Sequence, residues 1–581
     1  MPEHMLFVDT ETTAVPGDKG KTYQELMLGV AICARFRRDG KKDYKSTERF
    51  TTVAEFWDIV QTRYVSKTVL YLISHNAVFD FTVLRHMEYL TKMGYKCGFV
   101  YDGGMTFISK WRSEKHTIMI LNNANWFKGT LAKWGKELDL PKLVMPKGVD
   151  SEKKWFIYCE RDTEILYQLF VWYTQFLSTN DLGSWKYTIA SSAFTSYRHR
   201  FMCHPIYIPD ESEDSDISRE SYHGGRTECF RIGVYNDGPY YKLDINSMYP
   251  YVMRNSEYPN CYESRHTNPD TLKTRRTSET HCIIADCTIT PSLPYFVYRR
   301  DNRNIYPIGQ FRTVLTTEEY QLAYDNGWVK ECHDVCVYRK RPLFTEYVDF
   351  FYGVKQQAGT EDRPLIRAFA KLYLNSLYGK FGQRGFVDRV LGDDSTATIR
   401  VSHGYNIRTG TRFTIRQVGQ QVLYSEKGGE SYNAFCAIAS HVTANARLLL
   451  YDTIQRMGRD NCYYCDTDSV ICNSEGLQRI KGLLDNGKLG YWKVEGMSKS
   501  VTITAPKHYT FGQKTVVKGI RKNAQKLGTH TYRQEVWPGF NSILKQGQEK
   551  YYTVYQIKTL SPIIKSGVVQ TDGQVTPFVV G

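Results

Sequence analysis

The stretch Tyr463-Tyr464-Cys465-Asp466-Thr467-Asp468-Ser469-Val470 sets two acids at strand spacing and follows them with apolar residues. Alternate side chains of an extended chain share a face, so Asp466 and Asp468 project together. Like charges held that close are costly unless cations neutralise them. A second segment, Tyr241-Lys242-Leu243-Asp244-Ile245-Asn246-Ser247-Met248-Tyr249-Pro250, ends an apolar strand in an acid and turns at Tyr-Pro. Either segment alone reads equally well as a solvated strand end or turn.

Together they suggest a chemistry. Nucleotidyl transfer needs a hydroxyl to attack in line while pyrophosphate leaves, and paired metal ions neutralise the charge on both oxygens. Asp244 and Asp468 are the candidate ligands. Between them Arg367, Lys371, Asn375 and Tyr378 recur at intervals of four, four and three residues, one helix face that mixes cations, an amide and a ring. A triphosphate and a base can both meet such a face, although a solvated amphipathic helix has the same pattern.

Upstream, Phe7-Val8-Asp9-Thr10-Glu11 closes an apolar run with two acids on one strand face. Ser74-His75-Asn76-Ala77-Val78-Phe79-Asp80 is another strand-like exit with an acid, and Tyr158-Cys159-Glu160-Arg161-Asp162 puts Tyr158 and Asp162 on one helix face. One acidic pair arises easily by chance. Four converging acids can hold two metal ions roughly 3.5–4 Å apart, which activates a water and stabilises the leaving oxygen in phosphodiester hydrolysis. Tyr158 is placed to orient that water.

Composition agrees with these motifs. A chain of 581 residues exceeds one hydrophobic core. Its 76 Lys and Arg against 61 Asp and Glu give a formal charge of +15, which suits a polyanionic partner. Forty-three tyrosines can stack on bases or simply fill an aromatic core. Fourteen irregularly spaced cysteines, with no basic-then-apolar leader in residues 1–8, describe an unprocessed, reduced intracellular protein. No apolar run is long enough for a bilayer, which argues against a membrane role.

The pattern predicts α/β structure at the start, with strands entering Asp9 and over 69–74 and a helix around 156–172. Short strands are expected over 251–343 and 385–429, and helices over 358–378 and 434–456. The acidic, serine-containing run 210–216 reads as a surface loop near a domain junction, outside any core.

Taken in order, Asp9 through Glu11, Asn76 through Asp80 and Tyr158 through Asp162 resemble the three exonuclease motifs of family B DNA polymerases. The segments around Asp244, Lys371-Leu372-Tyr373-Leu374-Asn375-Ser376-Leu377-Tyr378-Gly379 and Asp466-Thr467-Asp468 resemble that family's polymerase motifs A, B and C. Tyr222-His223-Gly224-Gly225 is similar to the motif linking the two active sites, and Lys507-His508-Tyr509 to the primer-terminus motif. Thr130-Leu131 is similar to the single-stranded-DNA motif, and Lys147-Gly148 to the lysine that assists hydrolysis. The coverage runs from Asp9 to Tyr509.

The resemblance implies a DNA-directed DNA polymerase with a 3′-5′ proofreading exonuclease. Asp9, Glu11, Asp80 and Asp162 would hold metal in one site, assisted by Tyr158 and Lys147; Asp244 and Asp468 would hold it in the other, with Asp466 in support. Two Mg²⁺ ions per site are implied, with Mn²⁺ as the alternative. Lys371 would bind phosphates beside Arg367 and Asn375, and Tyr378 would meet the nascent pair. Tyr249 would stack on the incoming sugar and exclude a 2′-hydroxyl. Asn76, Phe79, Thr130, Leu131, Tyr222, Gly224, Gly225, Lys507 and Tyr509 would contact DNA.

The short length, the two strand-rich inserts and Leu489-Gly490-Tyr491-Trp492 resemble the small phage-type branch that starts from a protein primer. That branch implies an RNase H-like exonuclease domain over 1–185, then a right-hand polymerase. Its palm would cover 186–255 and 431–528, its fingers 345–384 and its thumb 529–581. An insert over 256–344 would meet a terminal protein, and one over 385–430 would encircle DNA for processive strand displacement. Arg412 and Arg416 fit a hairpin that touches DNA, or a solvated one. Partners would be primer-template DNA, single-stranded DNA, dNTPs and a terminal protein, for a monomer in a host cytoplasm replicating a viral or plasmid genome.

Two other readings use the same residues: a non-catalytic replication factor that grips DNA through the inserts, and a nuclease whose C-terminal half guides substrate. Cys462 with Cys465, and Cys332 with Cys336, raise a structural zinc as a further alternative.

Overall fold

The strand His4–Pro16 buries both faces of its first half, and this organises the N-terminal module. Met5 and Phe7 join a core with Ile165, Leu166 and Phe170 of the helix Glu152–Thr179, while Leu6 and Val8 join another with Phe56, Trp57, Phe81 and Leu84. A strand covered on both sides reads as a continuous apolar run, and Met5-Leu6-Phe7-Val8 is one. Around it the computed structural model, which describes residues 2–37, 42–63, 68–148, 150–267, 280–394, 396, 398–561 and 563–581, builds a mixed sheet. Lys21–Phe36 pairs antiparallel on one side of the first strand, and Val69–Ser74 pairs parallel on the other. Thr117–Asn122, Thr106–Arg112 and Lys96–Gly103 continue the sheet outward.

The sheet does not end with N-terminal residues. Thr531–Val536 and Tyr552–Thr559 form a hairpin whose second strand pairs with Lys21–Tyr23. The expected boundary at 185 and the separate element over 529–581 therefore share one sheet. The reason is that an edge strand presents open N–H and C=O groups that another segment can satisfy. Glu549 fastens the junction: its carboxylate accepts the Met87 and Glu88 N–H groups, at 2.8 and 2.9 Å, at the start of the helix His86–Lys92. Those are donors with no partner inside the helix.

An antiparallel sheet organises the second module, in the order Trp492–Ser498, Tyr240–Ile245, Ser469–Asn473, Cys462–Asp466, Thr227–Cys229. Asp244 and Asp466 both stand opposite Ser469, so the two acid-bearing segments finish at the same end of the sheet. The helix Cys436–Met457 shares a core with Leu243, Ile245 and Val470 of these strands. Within 251–343 the strands Tyr258–His266, Val329–Arg341, His281–Ile289 and Phe311–Thr316 make a four-stranded sheet. Arg384–Asp393, Gln421–Glu430, Thr411–Val418 and Arg400–Asn406 make another. The fold is the expected α/β module followed by an α+β module. Among the described residues no helix is long and apolar enough to cross a membrane.

Three expectations need correction. The helix over 358–378 is two: Thr345–Thr360 stops, Asp362 turns left-handed at φ 50°, and Pro364–Ser376 begins with proline in its first turn, the one part of a helix that tolerates it. The acidic run is no loop but the start of the helix Glu211–Ser221, where acids suit the positive end. Its Asp214 is buried, accepts the Tyr338 hydroxyl at 2.9 Å and has its carboxyl pushed up to about 6 by burial. Arg416 is buried as well, donating to Asn541 Oδ1 at 2.7 Å, while Arg412 is exposed.

Replacing Glu549 with Ala removes two caps and unfastens the hairpin. Amide exchange over 525–559 should accelerate about tenfold or more while the sheet around Asp244 keeps its protection, matching a loss of about 1–3 kcal/mol for buried donors left unpaired.

Candidate active sites

Four carboxylates meet where the first sheet ends. Asp9 and Glu11 come from the strand His4–Pro16, Asp80 from the short helix Ala77–Val83 and Asp162 from the helix Glu152–Thr179. Asn76, left-handed at φ 100°, starts that short helix directly after the strand Val69–Ser74. Asp80 accepts the Thr10 hydroxyl at 2.7 Å. Burial raises the Asp9 carboxyl well above the usual range, and the charges of Asp80, Asp162 and Glu11 add to the effect. Glu11 and Asp80 are each pushed up to about 7, chiefly by burial.

A cation is already present at one edge. Lys142 Nζ donates to Asp162 Oδ2 and lies 4.8 Å from the centre of the Tyr158 ring. Lys147, the residue singled out in the sequence, is exposed, and its backbone N–H donates to Asp150. The lysine at these carboxylates is therefore Lys142. The other oxygen of Asp162 is buried without a hydrogen-bond partner, an expensive state for a charged group. With oxygen donors on Asp9 and Glu11, this set fits a hard divalent cation such as Mg²⁺ or Mn²⁺. Ligand atoms of Asp9, Glu11 and Cys159 lie within 4.8 Å of one another.

Beside this site Phe79 packs edge-on to Tyr551 at 4.8 Å and against Trp537 at 5.7 Å. Thr130 caps the helix Leu131–Glu137 by accepting the Lys133 N–H at 3.2 Å, and Leu131 is buried beneath it.

The second site lies at the end of the five-stranded sheet. Asp244 and Asp468 line a cavity of about 640 Å³ together with Tyr249, Arg367, Lys371 and Asn375. Burial, then the charge of Asp244, pushes the Asp468 carboxyl up to about 6. Asp244 is raised by burial too, against the opposing Lys493, whose Nζ is 3.0 Å from Asp244 Oδ2. Tyr249 and Tyr378 stack with centroids 4.8 Å apart and planes 18° apart. Asp466 is engaged differently: Lys507 Nζ donates to both of its oxygens at 2.7 Å and Thr227 at 2.9 Å. The Tyr509 ring sits 5.1 Å from that of Tyr464.

In the glycine pair only Gly225 is required by close contact. A Cβ on Gly225 would come within 2.9 Å of Thr467 Cγ2 and 3.1 Å of the Tyr249 hydroxyl, whereas one on Gly224 would meet open space. Tyr222 fills the room that a side chain at Gly382 would need, 2.6 Å from the position of that Cβ.

Two cavity lysines escaped the sequence reading. Lys493 is found only through strand register, which sets it opposite Asp244. Lys355 donates to the Ser247 hydroxyl at 2.9 Å, and burial with Lys371, Lys493 and Arg367 nearby lowers its ammonium to about 8. The cysteine pairs Cys462/Cys465 and Cys332/Cys336 lie on different sheets, and Cys332 stands opposite Cys287.

Comparison with known proteins agrees with this geometry. The chain is similar to a probable DNA polymerase of Neurospora intermedia, 25% identical over 379 residues, which are 62% of this chain and 38% of that one. It is 26% identical over 324 residues to the DNA-directed DNA polymerase of Enterobacteria phage PRD1, 53% of this chain and 52% of that one. The chain thus spans about half or less of the length of these curated relatives. A solved structure of phi29 DNA polymerase complexed with primer-template DNA superposes with a TM-score of 0.70 at 16% identity, covering 96% of this chain and all of the other. That likeness shows that the two share a fold over nearly their whole lengths. The model of the family described as DNA polymerase type B, organellar and viral, matches residues 89–395, more than half of the sequence, and the chain belongs to that family.

Proposed function

We propose that this chain is a DNA-directed DNA polymerase with its own 3′-5′ exonuclease, primed by a terminal protein and displacing strands as it replicates a viral or plasmid genome. The observation that carries the reading is the cavity shared by Asp244 and Asp468 with Lys371, Asn375 and Arg367. Acids that bind cations and cations that bind phosphates there face one volume, as transfer of a nucleotide requires.

The roles follow from the chemistry of the side chains. Two Mg²⁺ ions held by Asp244 and Asp468, when bound, supply the charge neutralisation that the attacking and leaving oxygens need. Lys371, Arg367 and Lys355 bind the triphosphate, and each is a donor that cannot accept, so the site selects anionic oxygens. Tyr249, held against Tyr378, occupies the space of a ribose 2′-hydroxyl and restricts the substrate to dNTPs. Lys507 keeps Asp466 engaged beside the primer end.

In the N-terminal site Asp9, Glu11, Asp80 and Asp162 hold the metals, Tyr158 orients the water, and Lys142 steadies Asp162 and the charge that develops on phosphate. Asn76, Phe79, Thr130 and Leu131 flank the strand being trimmed. Gly224, Gly225, Tyr222 and Tyr509 contact the duplex. The inserts over 256–344 and 385–430 take the terminal protein and the displaced strand. The enzyme works as a monomer in the host cytoplasm.

On a primed single-stranded circle with Mg²⁺ and no helper protein, the wild type should give products longer than one circle. Asp468→Ala should lower incorporation by about a thousandfold or more while leaving single-strand hydrolysis intact. Asp9→Ala should do the reverse. No incorporation by wild type sinks the polymerase reading and leaves the nuclease or scaffold.

Lys142→Ala should slow hydrolysis of single-stranded DNA by about a hundredfold, and Lys147→Ala should change it by less than about twofold. The opposite order in single-turnover assays would return the role to Lys147.

A further inference from the structure

Arg226, directly after the glycine pair, is a buried cation whose side chain has four partners. Its guanidinium lies between the rings of Tyr306 and Tyr451, 3.9 and 3.8 Å from their centres. It forks onto Glu228 Oε2 at 2.8 and 2.5 Å and donates to the Pro294 carbonyl at 2.8 Å. Pro294 and Tyr306 belong to the segment 256–344. Glu228 belongs to the sheet that carries the polymerase carboxylates, and Tyr451 to the helix Cys436–Met457, which shares a core with that sheet.

The main chain of the same residue reaches the site. The Arg226 carbonyl accepts the Thr467 N–H at 2.7 Å. Thr467, at φ 63°, is the left-handed link between Asp466 and Asp468. A non-glycine residue in that region is strained by roughly 1–2 kcal/mol and stays there only where its surroundings hold it. Arg226 supplies one such hold, and Gly225, pressed against Thr467 and Tyr249, supplies the adjoining one.

A buried ion pair is seldom worth its desolvation, and apolar residues of like volume often replace one without loss of stability. What an arginine offers instead is a rigid, planar fork that can stack on two faces while donating at its edge. Here that geometry ties together a segment outside the active site, at Pro294 and Tyr306, and the turn inside it.

We propose that Arg226 is a positioning residue for Asp468, through which the segment 290–307, between the inserted strands His281–Ile289 and Phe311–Thr316, sets the geometry of the polymerase carboxylates. A partner that grips that segment near Pro294 and Tyr306 is thereby felt at the Asp466–Asp468 turn. The consequence for catalysis rests on the polymerase reading above; the coupling itself does not.

The test uses the full chain carrying Tyr306→Leu, Tyr306→Phe, or Arg226→Met together with Glu228→Gln, a pair that removes both charges of the fork while Arg459, 3.5 Å from Glu228 Oε1, keeps its hydrogen bond to the Val575 carbonyl. Hydrogen exchange over residues 466–470 reads the turn, primer extension reads the polymerase site, and hydrolysis of single-stranded DNA reads the distant one. Expected for Tyr306→Leu and the double variant are about tenfold faster exchange at Thr467 and a kcat for extension about tenfold lower, with the KM for dNTP and the hydrolysis rate within about twofold of wild type. Tyr306→Phe, which keeps the ring, should match the wild type throughout. Unchanged exchange at Thr467 in both altered proteins overturns the inference, as does a loss of extension that Tyr306→Phe shares or that hydrolysis follows in equal measure. A wild type that extends no primer overturns the polymerase reading alone, and exchange at Thr467 still decides the coupling.

Discussion

Concentrating negative charge at the ends of two buried strands is the constraint that the rest of this structure serves. Carboxylates prefer water, and bringing several within contact of one another raises the cost of ionising each. Asp9, Glu11 and Asp80 in one site and Asp244 and Asp468 in the other are all held above the usual carboxylate range, with burial the largest cause. The chain answers with three lysines placed at the margins: Lys142 on Asp162, Lys493 on Asp244 and Lys507 on Asp466. Lys142 also acts to lower Glu11 and Asp9, yet both stay raised because burial outweighs it. A protein selected for stability alone would not keep such clusters, and sites that do keep them are where function is normally found.

The acids themselves were legible because their geometry is local. Alternation along a strand, or a four-residue step on a helix, is enough to align Asp9 with Glu11 or Tyr158 with Asp162, and their convergence follows once the strands are adjacent. Lys507 lay in a recognisable motif, but Lys142 and Lys493 were not legible, because nothing local distinguishes them. Lys142 lies in a stretch without periodicity, and Lys147, five residues on, has the same chemistry in a similar setting. Only the path of the chain back to the helix Glu152–Thr179 separates the two. Lys493 depends on strand register, which a sequence leaves open until the partner strand is known. The acidic run 210–216 was misread for a related reason: its composition says solvent, but a helix start accommodates acids, and one helical turn carries Asp214 to Tyr338.

The pairing of distant segments was not legible for a different physical reason. The strand Lys21–Phe36 is covered over residues 29–36 by Lys42–Phe50, yet its first residues, 21–23, form an edge that another segment must cover or leave open. The hairpin Thr531–Val536/Tyr552–Thr559 covers it, and the same segment supplies Tyr551 and Trp537 to Phe79 beside the first carboxylate cluster. Residues far apart in the chain therefore complete one wall of that site.

Backbone demands also mark the second site. Ser247, three residues after Asp244, and Thr467, directly before Asp468, are both left-handed and neither is glycine. A carboxylate at a regular strand position, as Asp244 is, points squarely out of the sheet; one beside a left-handed residue, as Asp468 is, is turned to a direction the regular strand forbids. The cost is offset by specific holds: the Lys355 hydrogen bond to the Ser247 hydroxyl, and the Arg226 carbonyl on the Thr467 amide. Both holds come from outside the two strands, one from the helix Thr345–Thr360 and one from the segment beside the glycine pair. The aim of Asp468, and the path of the turn that follows Asp244, are thus set by elements that the strand pattern alone does not specify, and a change in how those elements seat must move Asp468 with them.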